Sequence, residues 1–116
     1  MFTVRVFALS AIVMVSACAS DSSVGVPAAP TGLSAAALSG GAHLTWTDNS
    51  SSEDEFMIMR MQVGTDTEMK HLTSVAFNMT QYHDAPLTSG KQYMYMVVAM
   101  NAGGEGESNT ITFSAP

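Results

Sequence analysis

Three histidines are the first candidates for metal or acid–base chemistry: His43, His71 and His83. They are 28 and 12 positions apart, which is not a metal-ligand spacing. His43 and His83 fall at outward positions of two strands of one predicted sheet, where neighbouring strands can bring them together. Two surface histidines are the simpler interpretation, and a metal site at His43 and His83 is the alternative.

A second candidate is an acidic loop containing Asp48, Glu53, Asp54 and Glu55, together with Asn49 and three serines. A calcium loop needs regularly spaced oxygen ligands, a central glycine and a glutamate at its twelfth position. Counted from Asp48, the twelfth position is Met59. The loop is therefore predicted to be a solvated turn whose side chains bond local amides.

The motifs that would support catalysis are incomplete. Ser-Gly-Lys at 89–91 lacks the first glycine of a phosphate-binding loop and is followed by Gln92. The stretch 104–108, Gly-Glu-Gly-Glu-Ser, is acidic and precedes no predicted helix. No Gly-x-Ser-x-Gly sequence occurs. We therefore expect no enzyme activity and no cofactor.

The least ordinary pattern is a set of methionines at alternate positions in two predicted neighbouring strands. They are Met57, Met59, Met61, Met94, Met96 and Met100. Side chains two residues apart in a strand share a face, so six thioethers would lie on one outward face. Four interpretations follow: a merely tolerated apolar stripe, a docking surface for a partner, a Cu(I) site or an oxidation-prone surface.

The N-terminus has the parts of an export signal. Arg5 supplies positive charge, an apolar run follows, and small residues precede Cys18, the only cysteine. Residues 6–17 would span about 18 Å as a helix, which is less than the roughly 30 Å of a bilayer core. We therefore predict that residues 1–17 are a signal peptide.

Two cleavage sites compete. Val-Ser-Ala-Cys at 15–18 resembles the lipobox of bacterial lipoproteins, whereas Ala-Cys-Ala at 17–19 also fits ordinary cleavage before Ser20. An unpaired exported thiol is a liability unless it is used, which favours lipidation of Cys18. The resemblance implies a diacylglycerol thioether with an N-acyl chain, and Ala19 at the second mature position implies the outer membrane of a bacterial cell envelope.

Charge narrows the class of partner. After residue 17 the chain has three basic residues against ten acidic ones: Arg60, Lys70 and Lys91 are the basic residues. Such a chain is not expected to bind nucleic acid or anionic lipid. Without a second cysteine no internal disulfide can form, so its stability must come from a packed core.

Residues 18–29 are predicted to be the lipidated cysteine and a flexible tether, because they are small and rich in serine. Beyond them, short runs of alternating apolar and polar residues are separated by turn-forming clusters, without a helical period. This pattern is typical of an all-β, antiparallel sandwich of about seven strands.

Five motifs in order resemble a fibronectin type III domain of the bacterial type, from about residue 30 to the C-terminus. They are Ala-Pro-Thr-Gly-Leu at 29–33, Leu-Thr-Trp at 44–46, Phe-Met-Ile-Met-Arg at 56–60, Leu-Thr-Ser-Gly-Lys-Gln-Tyr at 87–93 and Val-Val-Ala-Met-Asn at 97–101. The resemblance implies an immunoglobulin-like sandwich over 30–116, with Trp46 in the core and Tyr93 as a buried corner tyrosine bonded to nearby backbone. It also implies that Phe56, Ile58, Tyr95, Val97 and Ala99 line the inner face.

The function expected from the sequence is that of a lipid-anchored binding, adhesion or scaffold module in the cell envelope, with an envelope protein or glycan as its partner. The alternative is a periplasmic copper-handling protein that uses the methionines, with His43 and His83 as further candidate ligands.

Overall fold

The computed structural model describes residues 24–116, which form two packed antiparallel sheets. Eight strands lie in this range: β1 Thr31–Leu38, β2 Gly41–Thr47, β3 Glu55–Gln62, β4 Lys70–Ala76, β5 Gln81–Asp84, β6 Gln92–Asn101, β7 Gly104–Glu107 and β8 Ile111–Ser114. One sheet has the order β1-β2-β5, and the other has the order β4-β3-β6-β7, with β8 also paired to β6. No helix in the described range is long and apolar enough to cross a membrane.

The predicted all-β sandwich is confirmed. Its last strand is divided into β7 and β8, which both pair with β6. At the division, the Asn109 side chain turns to β1, where it accepts a hydrogen bond from the Leu33 amide (3.1 Å) and donates one to the Leu33 carbonyl (3.2 Å). These bonds connect the two sheets along one edge.

Alternation along β3 and β6 determines which side chains enter the core. The five residues predicted for the inner face are all fully buried. Trp46 is 5% exposed and meets Phe56 edge-on, with ring centroids 5.7 Å apart. The predicted position of Trp46 in the core is therefore confirmed, and burial of these large apolar side chains is the main source of stability.

The predicted corner tyrosine is also confirmed. Tyr93 is 4% exposed, and its hydroxyl oxygen accepts a hydrogen bond from the Thr88 amide at 3.0 Å. Leu87 packs against the core beneath this turn. The bond satisfies a phenol that burial removes from water.

Two ends of the sandwich matter for function. At the entry end, the chain arrives before Thr31, and β6 finishes at Asn101 opposite the start of β7. At the far end, β6 begins at Gln92 opposite Ser114. The ten residues of β6 separate the two ends by about 33 Å.

Candidate binding surface

The six predicted methionines lie together on the outer face of the larger sheet. Met59 is directly opposite Met96, and Met61 is directly opposite Met94. Met57 and Met100 extend the set toward the entry end. We call these six residues the methionine face. Directly opposite side chains on one face are about 5 Å apart at Cβ, so four thioethers form a compact two-by-two group.

All six methionines are partly buried and partly exposed. Val98 lies between them at the same face, opposite Met57, and is only 2% exposed. Long, unbranched thioether chains can lie over the sheet and shield such a position from water. The face is therefore an adaptable apolar surface that a partner can bury further.

The two ends of the molecule differ in charge. Toward the entry end, Glu105 is opposite Met100 and Glu107 is opposite Val98, and the acidic loop lies at the same end. All three Lys and Arg side chains of residues 24–116 lie toward the far end: Arg60, Lys70 and Lys91. The methionine face therefore extends from the entry end, which is acidic, to the far end, which carries both basic and acidic side chains.

His43 and His83 are directly opposite each other on β2 and β5, with ring centroids 5.9 Å apart. Nε2 of His43 is 3.0 Å from Oε1 of Gln81. Both histidines belong to the smaller sheet, whereas the methionines face outward from the larger one. A single site that combines these histidines with the methionines is therefore not possible in this fold.

His71 is the histidine nearest to the thioethers, because it is paired with Met59 across β4 and β3. Its Nε2 is 2.9 Å from Oγ of Ser74. A β-bulge in this pairing between Ile58 and Met59 sets the register, and the sequence pattern gave no sign of it. Among residues 24–116, no three His, Cys, Asp or Glu side chains are grouped to hold a metal ion.

Carboxylates of the acidic loop accept one local and one long-range hydrogen bond. Oδ1 of Asp48 accepts from the Ser50 amide at 3.0 Å, and Oε2 of Glu53 accepts from the Asn78 amide at 3.1 Å. Burial and the neighbouring Glu53 carboxylate raise the pKa of Asp48. Burial opposes ionisation of Glu53, but the amide donors lower its pKa overall. The Asp48–Ser50 bond is the local kind that was predicted, whereas Glu53 is 6% exposed and bonds an amide far along the chain, so this part of the loop is not solvated as predicted.

A buried ionic network at the far end was missed at the level of sequence. Nη1 of Arg60 donates to both carboxylate oxygens of Asp84, at 2.9 and 3.2 Å, and Asp84 is 4% exposed. The alternation of inner and outer positions along β3 and β5 could have revealed this network. Arg60 continues the inner series of Phe56 and Ile58, and Asp84 continues the inner series of Tyr82. Opposite charges at inner positions of two facing sheets are expected to pair.

Beside this network, an open pocket of about 160 Å³ is lined by Arg60, Asp66, Lys70, His71 and Leu72. Lys70 is 3.3 Å from Asp66, and Arg60 is already engaged by Asp84. The pocket therefore offers no unpaired carboxylate for acid–base work, and it adjoins the methionine face through His71.

The predicted flexible tether, 18–29, requires a correction where it is described. The side-chain amide of Asn101 donates from Nδ2 to the Gly25 carbonyl at 2.9 Å, and Pro27 is buried. A Cβ on Gly106 would lie 2.6 Å from the Pro27 carbonyl oxygen, so the glycines of β7 permit this close approach. The domain therefore extends back before residue 30. Cys18 and the signal peptide lie outside the described residues.

Comparisons with solved structures identify the fold. A Fn3-like protein from Clostridium thermocellum is 27% identical, with a TM-score of 0.64 over 79% of this chain and 96% of that chain. The FN3 domain of human collagen XX is 20% identical, with a TM-score of 0.63 over 86% and 99%. No family model matches the sequence, and no curated protein matches it.

Some matches are parts of larger proteins. In the pectate lyase PelI from Erwinia chrysanthemi, the match is 19% identical with a TM-score of 0.60, and it spans 73% of this chain but 27% of that one. The neighbours are mostly fibronectin type III domains, which is a non-enzymatic fold. Residues 24–116 have the fibronectin type III fold, which is consistent with a non-catalytic binding or scaffold module.

Proposed function

On this fibronectin type III fold, we propose a lipid-anchored binding module of the bacterial cell envelope. A lipid on Cys18 holds the domain at the membrane, and the methionine face binds an envelope protein. The observation that supports this function is the grouping of six partly exposed methionines on one face. Large apolar surfaces are uncommon on monomeric domains and often mark interfaces.

A protein partner fits this face better than a glycan does. Thioethers offer dispersion and adaptable packing but only weak hydrogen-bond acceptance, whereas a glycan presents many hydroxyl groups that need partners. Acidic Glu105 and Glu107 border the face, so we expect the partner to carry basic residues beside an apolar patch.

The docking role is tested by replacing Met59 and Met96 together with Ser in the full-length protein, followed by cross-linking in cells and recovery of the bound proteins. We expect the recovered partners to be lost. Leu38→Ser is the matched control, because Leu38 is 50% exposed and belongs to the smaller sheet, away from the methionine face. Unchanged recovery with the double variant would exclude this face.

The anchor is tested separately with Cys18→Ser. Loss of fatty-acid labelling and of partitioning into the detergent phase is expected, since the only thiol is removed. If both persist, the lipid is not on Cys18, although the binding role of the domain would remain open to the first experiment.

A second candidate function is the handling of Cu(I). It is favoured by the cross-strand pairs Met59–Met96 and Met61–Met94, since Cu(I) prefers soft thioether ligands. The adjacent His71 supplies an imidazole, in place of His43 and His83 on the other sheet. Titration with Cu(I) against a competing chelator tests this candidate, and no uptake above that of a Met59→Ser, Met96→Ser control would exclude it.

A further inference from the structure

The loop between β4 and β5 presents apolar side chains to solvent. Phe77 is 60% exposed and Met79 is 41% exposed. Turns of this kind are usually occupied by small polar residues, so an exposed phenylalanine here needs a reason. It lies apart from the methionine face, and the proposed docking role does not use it.

The loop is held in place by specific bonds. The Asn78 amide donates to the buried Glu53 carboxylate, and the Met79 amide donates to the Ala76 carbonyl at 3.2 Å. The Trp46 amide donates to the Thr80 carbonyl at 3.0 Å. Asn78 has a φ of 68°, a left-handed conformation that asparagine tolerates. The exposure of Phe77 is therefore fixed by the fold.

The loop lies at the entry end. Ala76, the last residue of β4, is opposite Glu55, and Glu55 is in turn opposite Met100 at the end of β6. Asn101, the next residue, binds the incoming chain at Gly25. Val24 and Val26 on that incoming chain are 52% and 59% exposed. Four exposed apolar side chains thus lie at one end of the molecule.

The chain length connects this end to the membrane. Val24 follows Cys18 by six residues, which reach at most about 20 Å when fully extended. The domain is longer than this reach, because β6 alone has ten residues and extends for about 33 Å. A lipid on Cys18 therefore keeps the entry end within about 20 Å of the bilayer, whereas the far end can stand well beyond that distance.

We propose that Phe77 and Met79 insert into the surface of the membrane that holds the Cys18 lipid, as a second, non-covalent contact. This inference rests on the proposed lipid anchor. Two apolar side chains are too few to bind a bilayer from solution, but the anchor makes their insertion an intramolecular step at high effective concentration. The acidic residues of the entry end favour zwitterionic over anionic headgroups.

This contact also determines orientation. With the entry end on the bilayer, the strands stand away from it, and the methionine face remains open to a partner. If the domain instead lay on its side, the methionine face would be covered by lipid. The two arrangements place different residues in contact with acyl chains, so they can be separated experimentally.

The test uses the chain from Cys18 onward, coupled through its only thiol to a maleimide lipid in phosphatidylcholine vesicles with brominated acyl chains. This coupling supplies the anchor chemically, so the result does not depend on lipidation in cells. Three variants are compared: Phe77→Trp at the loop, Met96→Trp on the methionine face and Val63→Trp toward the far end. Trp46, buried in the core, is the background common to all three.

We expect blue-shifted emission and bromine quenching for Phe77→Trp, and neither for Val63→Trp or Met96→Trp. Equal emission of Phe77→Trp on brominated and unbrominated vesicles would overturn the proposal. Quenching of Met96→Trp in its place would mean that the domain lies on its methionine face, and would also overturn it. Failure of the lipid anchor is recognised independently, from fatty-acid labelling of the cellular protein.

Discussion

The Tyr95 hydroxyl donates a 2.6 Å hydrogen bond to Oδ2 of Asp84 across the two sheets. The same carboxylate accepts two bonds from Arg60, whose guanidinium carbon lies 5.6 Å from the centre of the Tyr93 ring. Asp84 therefore satisfies two donors from the larger sheet and closes the far end of the core. Burial opposes the charge on Arg60, but its bond to Asp84 raises the pKa of the guanidinium.

Asp84→Asn is expected to lower the free energy of unfolding by about 2 kcal/mol, because it removes the charge that Arg60 and Tyr95 face inside the protein. Urea denaturation at pH 7 measures this change. Asp66→Asn is the matched control: it removes the partner of Lys70 at the surface, where ion pairs contribute little. Equal losses in the two variants would contradict the special role of Asp84.

The stability at high pH is expected to depend on Tyr95. Burial and the Asp84 carboxylate raise the pKa of Tyr95 well above its ordinary value of 10.0. The unfolded chain therefore releases this proton above about pH 10 while the folded protein keeps it, so stability falls as pH rises, by about 1.4 kcal/mol per pH unit for one proton.

Tyr95→Phe removes this dependence, although it also costs a hydrogen bond at pH 7. Denaturation midpoints between pH 9 and 11.5 should therefore converge for the wild type and this variant. Tyr82→Phe, a phenol outside the network, should retain the wild-type slope. If the denaturation midpoints of wild type and Tyr95→Phe fall in parallel as pH rises, Tyr95 is not the group whose ionisation destabilises the protein at high pH.

The sequence predicted the core well because burial enforces strict alternation. Phe56 and Ile58 specify the inner face of β3, and the same parity places Met57 and Met59 outside. The sequence pattern did not identify β4, Lys70–Ala76, as a strand. As an edge strand with a bulge, β4 has no clean alternation for a pattern to detect.

The candidate surface was predictable in part for the same reason. The methionines belong to two long strands with regular register, so their common face follows from parity. His71 near Met59 depends on the bulge, and the exposed Phe77 depends on a turn held by Glu53. These contacts join residues distant in sequence, and only the folded structure brings them together.

Glu53→Gln is expected to destabilise the domain by about 1 kcal/mol at pH 7 and to loosen the Phe77 loop. The amide donors lower the pKa of Glu53 below its ordinary 4.5. The stability from its ionised form is therefore present above pH 4.5 and is lost as pH falls through the lowered value. The difference in the free energy of unfolding between wild type and Glu53→Gln should therefore disappear at acidic pH.

Denaturation midpoints from pH 3 to 6 measure this gap, with Glu105→Gln as a control for an exposed carboxylate on β7. A gap that stays constant with pH would mean that Glu53 acts through its shape and not through its charge. Amide hydrogen exchange at Asn78 is the second readout, and it should become faster in Glu53→Gln at neutral pH.

Gly106→Ala tests the contact between β7 and the incoming chain. The added Cβ would lie 2.6 Å from the Pro27 carbonyl oxygen and 3.0 Å from the Ala29 Cα, distances that force residues 24–29 away from the domain. We expect a loss of about 1–3 kcal/mol and faster hydrogen exchange in 24–29. Gly25→Ala is the control, since a Cβ there meets no atom within 4 Å.

The same variant also tests the proposed membrane contact of Phe77. Release of residues 24–29 lengthens the connection from Cys18 to the domain from six residues to about twelve, which reach roughly 40 Å. Because the effective concentration at the bilayer falls as a flexible linker lengthens, Phe77→Trp quenching should weaken when Gly106→Ala is added and persist when Gly25→Ala is added. Equal quenching in both double variants would mean that the short connection does not hold the entry end at the membrane. Contact of Phe77 with the bilayer would then not depend on the length of that connection.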